Sequence, residues 1–519
     1  MTQARVLTLV FASVVALWLL ALNFGAVGAV ALRAEGLTGL RASDWAAVRF
    51  TLLQALLSAL LSVALAIPVA RALARRRFIG RGLLITLMGA PFILPTLVAV
   101  LGLLAVFGRS GLVNDVLGLV GLGPVNIYGL HGVVLAHVFY NLPLAVRIIL
   151  QGWAAIPSER MRLAVSLGFS PTDRLRHLEA PMLREVAPGA FLLVFLICLT
   201  SFAVALALGG GPRATTVELA IYQAFRFDFD MGRAAALALV QFGLCLGAGV
   251  LALRVALPSG LGGGLDRPLP RMDYRARAIW GDGVLIALAA LFLLVPLALI
   301  VLRGAPHLVS LPAPVWQATM RSLWVALGAT VLTLSFALVL AHAILALPRF
   351  GAAALEWLGL AALAASPLVI GTGLFLILRP IADPRDMALA VTMLVNAGLA
   401  LPFALRLILP ALRDVAATQG RLATSIGLHG AARFRLVTLP RLRRPMGFAA
   451  GLTAALSMGD LGVILLFADA ERATLPMQLY RLMQAYRQDD AAGAALLLLL
   501  ASLALFWAFD KWGRSDATA

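Results

Sequence analysis

The chain has 519 residues, 62% of them hydrophobic and 13% charged, with a mean hydropathy of +0.97. A water-soluble fold of this size has no way to hide so much apolar surface, so the composition excludes a soluble enzyme or binding module and makes lipid the solvent. The formal net charge of +18 invites a nucleic-acid reading. Its arginines, however, cluster in alternate loops, which is a pattern of membrane topology rather than of a nucleic-acid patch.

Taken in chain order, and allowing about 20 apolar residues per crossing, twelve segments qualify as spans: roughly 6–32, 50–72, 83–107, 129–150, 188–209, 233–256, 280–302, 322–347, 353–378, 387–409, 447–468 and 491–509. Six lie in residues 1–257 and six in residues 280–519. Residues 258–279, rich in Gly, Pro and Arg, read as a cytoplasmic linker between them. The predicted fold is thus an all-α integral membrane protein of about twelve helices, arranged as two six-helix repeats. Arg5 ahead of the first apolar run suggests a signal peptide. That segment, however, aligns at an offset of 272 with the one beginning near Ile279, which cannot be a signal peptide, so it is read as a span. Arg71, Arg75, Arg76, Arg77 and Arg81 form the first basic cluster, and others follow at 160–184, 267–277 and 413–444. Excess arginine marks the cytoplasmic side, which predicts both termini inside and the loops near 109, 213, 303, 383 and 472 outside.

The two halves repeat each other. Leu142-Pro143 matches Leu401-Pro402, Arg147 matches Arg406, Thr215 matches Thr474 and Asp230 matches Asp489, all 259 positions apart. Earlier in each half the separation is 272, pairing Arg49 with Arg321, Arg77-Phe78 with Arg349-Phe350, and Pro95 with Pro367. A constant offset over many positions is the mark of tandem duplication. An even number of spans per half makes the repeat parallel. Many ion-coupled carriers instead use inverted repeats, and they need ionisable groups inside the membrane. Such groups are few here. Asp460 is the clear carboxylate in a span, with His137, Asn141, Gln241, His342 and Asn396 as polar companions. For the lone His and Asn residues the simpler role is a hydrogen bond to a neighbouring helix. Asp460 either bridges helices beside Gly459 and Gly462 or faces a wet pathway suited to a cationic solute. Cys198 and Cys245 fall inside apolar spans and read as packed free thiols.

The sharpest repeated feature lies in the basic loops. Arg162-Leu163-Ala164-Val165-Ser166-Leu167-Gly168 is echoed by Arg421-Leu422-Ala423-Thr424-Ser425-Ile426-Gly427, and a proline, Pro181 or Pro440, follows each glycine 13 positions on. Residues 160–167 predict a short amphipathic helix, Gly168 a sharp turn at positive φ, and Pro171 the start of a second helix running to about Leu178. The second copy predicts Gly427, then Gly430 and a helix through Arg433 to Val437. Each loop is a knob without a carboxylate pair, metal cluster or activated nucleophile, so its use is to grip something in the cytoplasm.

This pattern resembles the EAA loop of ABC importer permeases, which inserts a coupling helix into a cleft of an ATPase. The match is carried by Ala164, Gly168, Leu178 and Pro181, and by Ala423, Gly427, Val437, Leu439 and Pro440. The family's glutamate position holds Arg162 and Arg421 here, so whatever contact that glutamate makes must be replaced. Two such loops in one chain imply two fused permease subunits. Among fused permeases the chain is similar to the thiamine family along nearly its whole length, in the stretches 59–78, 128–147, 208–225 and 456–467.

The resemblance implies import of thiamine, with its phosphate esters as further candidates, across a bacterial inner membrane. It also implies two copies of a separate cytoplasmic ATPase, a periplasmic thiamine-binding protein, and ATP-driven switching between inward- and outward-facing states. No cofactor is implied on this chain. ATP and Mg belong to the ATPase, since no P-loop motif occurs and the only lysine is Lys511. The stretch 209–230, opening with Gly209-Gly210-Gly211-Pro212, reads as an external loop positioned to meet the binding protein and gate the pathway, with 469–490 as its counterpart. Asp460, Asn141, Gly209, Gly210, Gly211 and Pro212 are therefore the candidate pathway or gate residues. A ferric-iron ABC permease of the same fused build and a proton-coupled carrier remain as alternatives. A membrane enzyme would need clustered ionisable groups in the spans.

Overall fold

A computed structural model describes residues 3–34, 40–89, 91, 93–209, 211, 214–254, 276–361 and 366–514. All regular structure among these residues is helical. Helices are what a single chain can offer a bilayer, because each one satisfies its backbone hydrogen bonds internally. Eleven are long and apolar enough to cross: Val6–Arg33, Ala42–Arg75, Thr96–Leu119, Leu130–Ala155, Pro171–Leu199, Met231–Leu251, Trp280–His307, Ala313–Ala346, Ala388–Ser425, Gly430–Phe467 and Gln488–Arg514. The chain is thus a multi-pass membrane protein. Most of the interdomain linker lies outside the described residues.

Several expected spans are broken, each for a local reason. The segment 83–107 divides into Arg81–Leu87 and Thr96–Phe107, with Pro95 in extended conformation as the N-cap of the second helix. The residue before a proline is pushed out of the helical region, so a helix restarts at such a site rather than running through it. Segment 353–378 is likewise covered by two shorter helices, Arg349–Ala361 and Pro367–Leu378. Ser366 caps the second of these, its Oγ accepting from the Leu368 and Val369 amides at 3.2 and 3.3 Å. The segments 188–209 and 447–468 begin earlier than expected and break near their C-terminal ends, giving Ala180–Leu199 then Ala203–Leu208, and Leu439–Met458 then Gly462–Phe467.

The halves of the chain are interlocked. Ala26–Arg33 packs on Pro367–Leu378, while Ala276–Gly304 packs on Thr96–Phe107. Small residues allow the approach, since a Cβ on Gly373 would lie 2.3 Å from the Ala26 carbonyl oxygen and one on Gly102 2.9 Å from that of Pro296. Lipid supplies little hydrophobic drive between helices, so close packing of this kind is what holds them. Elsewhere Ala42–Arg75 lies along Leu130–Ala155, and Ala313–Ala346 along Ala388–Ser425. One buried apolar cluster draws on both halves, including Leu103, Phe139, Leu293, Val463, Phe467 and Leu498.

Candidate functional site

In the first basic loop, Leu130–Ala155 ends at Ile156 and Pro157, and the 9-residue helix Ser158–Ser166 follows. The chain then reverses at Gly168, whose φ is +67°. The Gly168 amide donates to the Val165 carbonyl at 3.0 Å and the Phe169 amide to that of Ala164 at 2.9 Å. These are the two bonds of a Schellman closure, which needs a residue free to adopt left-handed φ. Ser170 then opens Pro171–Arg174 through reciprocal bonds. The Asp173 amide donates to Ser170 Oγ at 3.2 Å, and the Ser170 amide to Asp173 Oδ2 at 3.0 Å.

The second loop reaches the same turn without a break, because Ala388–Ser425 is one helix of 38 residues. Gly427 has φ of +75°, its amide donates to Thr424 at 3.1 Å and the Leu428 amide to Ala423 at 2.9 Å. His429 stands where Ser170 stands in the first loop and gives no side-chain cap to Gly430–Arg433.

Both loops re-enter the membrane through a wide turn, Leu175–Glu179 or Phe434–Thr438, that runs directly into the next helix. The second helix of the first knob therefore does not stop near Leu178 as expected. A proline inside a helix has no amide to donate, and its ring clashes with the carbonyl four residues back. For Pro181 and Pro440 that carbonyl lies within the wide turn, which loosens the backbone where the ring needs room. Leu178 and Val437 sit in this turn.

The tips are apolar and uncovered. Leu163, Leu167, Leu422 and Ile426 are each about 60% exposed, and Leu436 is exposed beside them. Ala164 and Ala423, by contrast, are buried. Arg162 is exposed and pairs with Glu159 at 3.3 Å, a surface contact of little energetic weight.

The polar residues of the spans gather where the fifth helix of each half breaks. His137 Nε2 lies 2.7 Å from Ser201 Oγ, and its Nδ1 lies 3.3 Å from Ser58 Oγ. Asn141 donates to the His137 carbonyl at 2.8 Å and faces Cys198 Sγ at 3.4 Å. In the second half Asn396 donates to Ser457 Oγ at 2.9 Å. Asp460 Oδ1 accepts from the Gly462 amide at 3.3 Å, while its Oδ2 is buried with no hydrogen-bond partner among the described residues. The Asp460 segment lies against the first half, since a Cβ on Gly459 would lie 3.0 Å from Pro95 Cα, while one on Gly462 would lie 3.5 Å from Pro367 Cβ within its own half. His137 and Asn141 thus make helix-to-helix bonds, while Asp460, like Glu218 and Thr372, keeps a buried oxygen with no hydrogen-bond partner among the described residues.

No protein-family model matches the chain. Curated relatives do. The thiamine transport system permease protein ThiP of Salmonella typhimurium is 40% identical over 476 residues, covering 90% of this chain and 89% of that protein. The protein of the same description from Brucella abortus is 40% identical over 510 residues, 95% of this chain and 93% of its own length. That from Escherichia coli is 41% identical over 484 residues, 91% and 90% respectively. The chain belongs to the ThiP permease family.

Within this permease, the stretch expected to be an external loop holds a buried element. Val217–Arg226 is a helix whose residues are mostly buried, and half of the residues of its counterpart helix Leu475–Gln484 are buried. Of the glycine-rich opening, Gly210 and Pro212 lie outside the described residues. Gly209 packs tightly, and Gly211, at φ of +127°, takes a conformation few other residues accept. An aromatic pair carries the contact across the seam, Phe225 on Phe375 at 4.5 Å between centroids, and Phe375 in turn packs on Phe467 of its own half at 5.5 Å. The sequence reading passed over Glu218, which is fully buried and accepts from Gln241 Nε2 at 3.0 Å. Its signal was available: in Val217-Glu218-Leu219-Ala220-Ile221-Tyr222 a single charge interrupts a run too apolar for a surface loop.

Proposed function

We propose that this chain is the membrane-spanning subunit of an ABC importer that carries thiamine, and its phosphate esters as further substrates, from periplasm to cytoplasm of a bacterial inner membrane. The loops at 160–181 and 419–440 are its docking knobs, one for each of two copies of a separate ATPase that binds ATP and Mg. A periplasmic thiamine-binding protein delivers solute to the opposite face, and both termini are cytoplasmic. The observation that carries this reading is the paired construction of the knobs: the same closure at Gly168 and Gly427, each beneath exposed aliphatic side chains, in a chain about 40% identical to thiamine permeases. An apolar tip held rigidly outside the lipid is shaped for a hydrophobic cleft in a partner.

Asp460, Asn141 and the glycines at 209–211 belong to the pathway and its outer gate, together with the helices Val217–Arg226 and Leu475–Gln484. The Asp460 carboxylate, with one oxygen uncommitted, suits a cationic solute such as the thiazolium ring.

The test is uptake of labelled thiamine into proteoliposomes holding this chain, with and without the ATPase inside and the binding protein outside. Uptake that needs ATP and both partners supports the proposal. Entry of labelled iron in place of thiamine would keep the architecture and remove the substrate. Uptake driven by a proton gradient alone, and abolished by Asp460→Asn, would replace the proposal with a carrier.

A further inference from the structure

The base of the first loop is held by a buried network of ion pairs, whereas the base of the second is held by apolar packing, with the solvent-exposed pair Arg413–Glu356 beside it among the described residues. Glu179, the last residue of the wide turn Leu175–Glu179, is buried, with Arg71 Nε at 2.6 Å and Arg75 Nη2 at 3.5 Å from its carboxylate. Arg75 also reaches Asp282 at 4.0 Å, and Arg76 holds that aspartate at 2.7 Å. Asp282 lies in Ala276–Gly304, the first helix of the second half. The five side chains thus run from the loop, through the cytoplasmic end of Ala42–Arg75, into the other half of the chain. All are at most 27% exposed, so these are not solvent-screened surface pairs.

At the offsets that relate the two halves, the matching positions are Thr438 for Glu179, Ala343, Leu347 and Pro348 for the three arginines, and Val10 for Asp282. None can carry a charge. The second base is instead surrounded by an apolar cluster that includes Val15, Leu340, Ile344, Leu412 and Leu442, with Leu439 packed against it. His342 lies 6.0 Å from the Phe434 ring, centroid to centroid.

We propose that Glu179, Arg75 and Asp282 form a one-sided relay that couples movement of the first docking loop to the second half of the permease, so that the two loops are not equivalent in driving transport. The proposal rests on the reading of these loops as ATPase docking sites. Ion pairs suit a relay because they are directional, and because removing one partner leaves the other buried without compensation. An apolar base can slide and repack, while an ion-paired base must move with its partners. These residues touch no solute and act as positioning residues.

The test uses the assembled transporter in proteoliposomes and reads the ATP hydrolysed per thiamine taken up. Glu179→Gln and Asp282→Asn are each expected to raise that ratio several-fold while the ATPase still co-purifies, and Glu179→Asp to restore most of the coupling. Because the two acids share Arg75, the double variant is expected to be no worse than the more severe single one. Thr438→Ala, at the matching position of the second loop, is expected to leave the ratio at the parent value. If uptake and hydrolysis fall in proportion in both single variants, so that the ratio holds, the residues are merely structural and the relay is overturned. An equal rise in Thr438→Ala would overturn the asymmetry. Absence of ATP-dependent uptake by the unaltered chain would overturn the importer reading itself, and the relay with it.

Discussion

The first basic loop is set off from its span by a break at Ile156 and Pro157, whereas the second is the far end of an uninterrupted helix of 38 residues. Despite these unlike entrances, both close with the same pair of backbone bonds, a glycine at φ of +67° or +75°, and a five-residue wide turn before the proline. On the proposal that these loops dock an ATPase, what they share marks what the docking shape requires, and what differs marks what it tolerates. The turn and the exit are fixed, and the approach is free.

The severest way to break that comparison is to attack the shared turn. Gly168→Val and Gly427→Val each place a β-branched residue in left-handed conformation, at a cost of roughly 1–2 kcal/mol or more. Each is expected to abolish ATP-driven thiamine uptake while the variant still purifies from the membrane as a monodisperse protein. Parent-like uptake in both would strip the turn of its coupling role.

A smaller effect is expected at the tips. Covering one large aliphatic side chain contributes about 1.5–3 kcal/mol, so Leu167→Ser or Ile426→Ser should weaken ATPase binding about 10- to 100-fold, as read by titration of the ATPase onto permease in nanodiscs. Equal losses would mean that the differing entrances do not matter to docking. A loss at one tip only would show that they do.

The smallest effect is expected where the loops differ. Ser170→Ala removes a helix cap worth about 1 kcal/mol that the second loop lacks at His429. Amide exchange across 170–175 should quicken, with uptake close to the parent value. A large loss of uptake would make the cap part of what docking requires.

Much of this was legible in the residues. The spans follow from apolar length, and the glycine turns from their spacing against Pro181 and Pro440. The breaks near Pro95, Pro367 and Gly459 were harder to read, because a hydropathy average runs across an interruption of a few residues without registering it. Proline was the visible clue at the first two. Near Ser201 the sequence holds no such marker, and the break there follows from packing. Glu218 and Gln241 show the other limit. A lone charge in an apolar run marks Glu218 as unusual, but its pairing with Gln241 on a separate helix is supplied only by the fold. The ionic base of the first loop joins residues some 100 positions apart in the chain, and only the fold brings Arg75, Glu179 and Asp282 together.

The crossing of each half's first helix onto the other half sets an order for making the protein. Ala26–Arg33 is threaded into the bilayer long before its neighbour Pro367–Leu378 has been synthesised, and the groove of Thr96–Phe107 stays open until Ala276–Gly304 emerges. During translation the first six helices are therefore an unfinished surface, and the ribosome must deliver most of the chain before either half can settle. Carrying both halves on one polypeptide gives that waiting surface a partner already on the same thread.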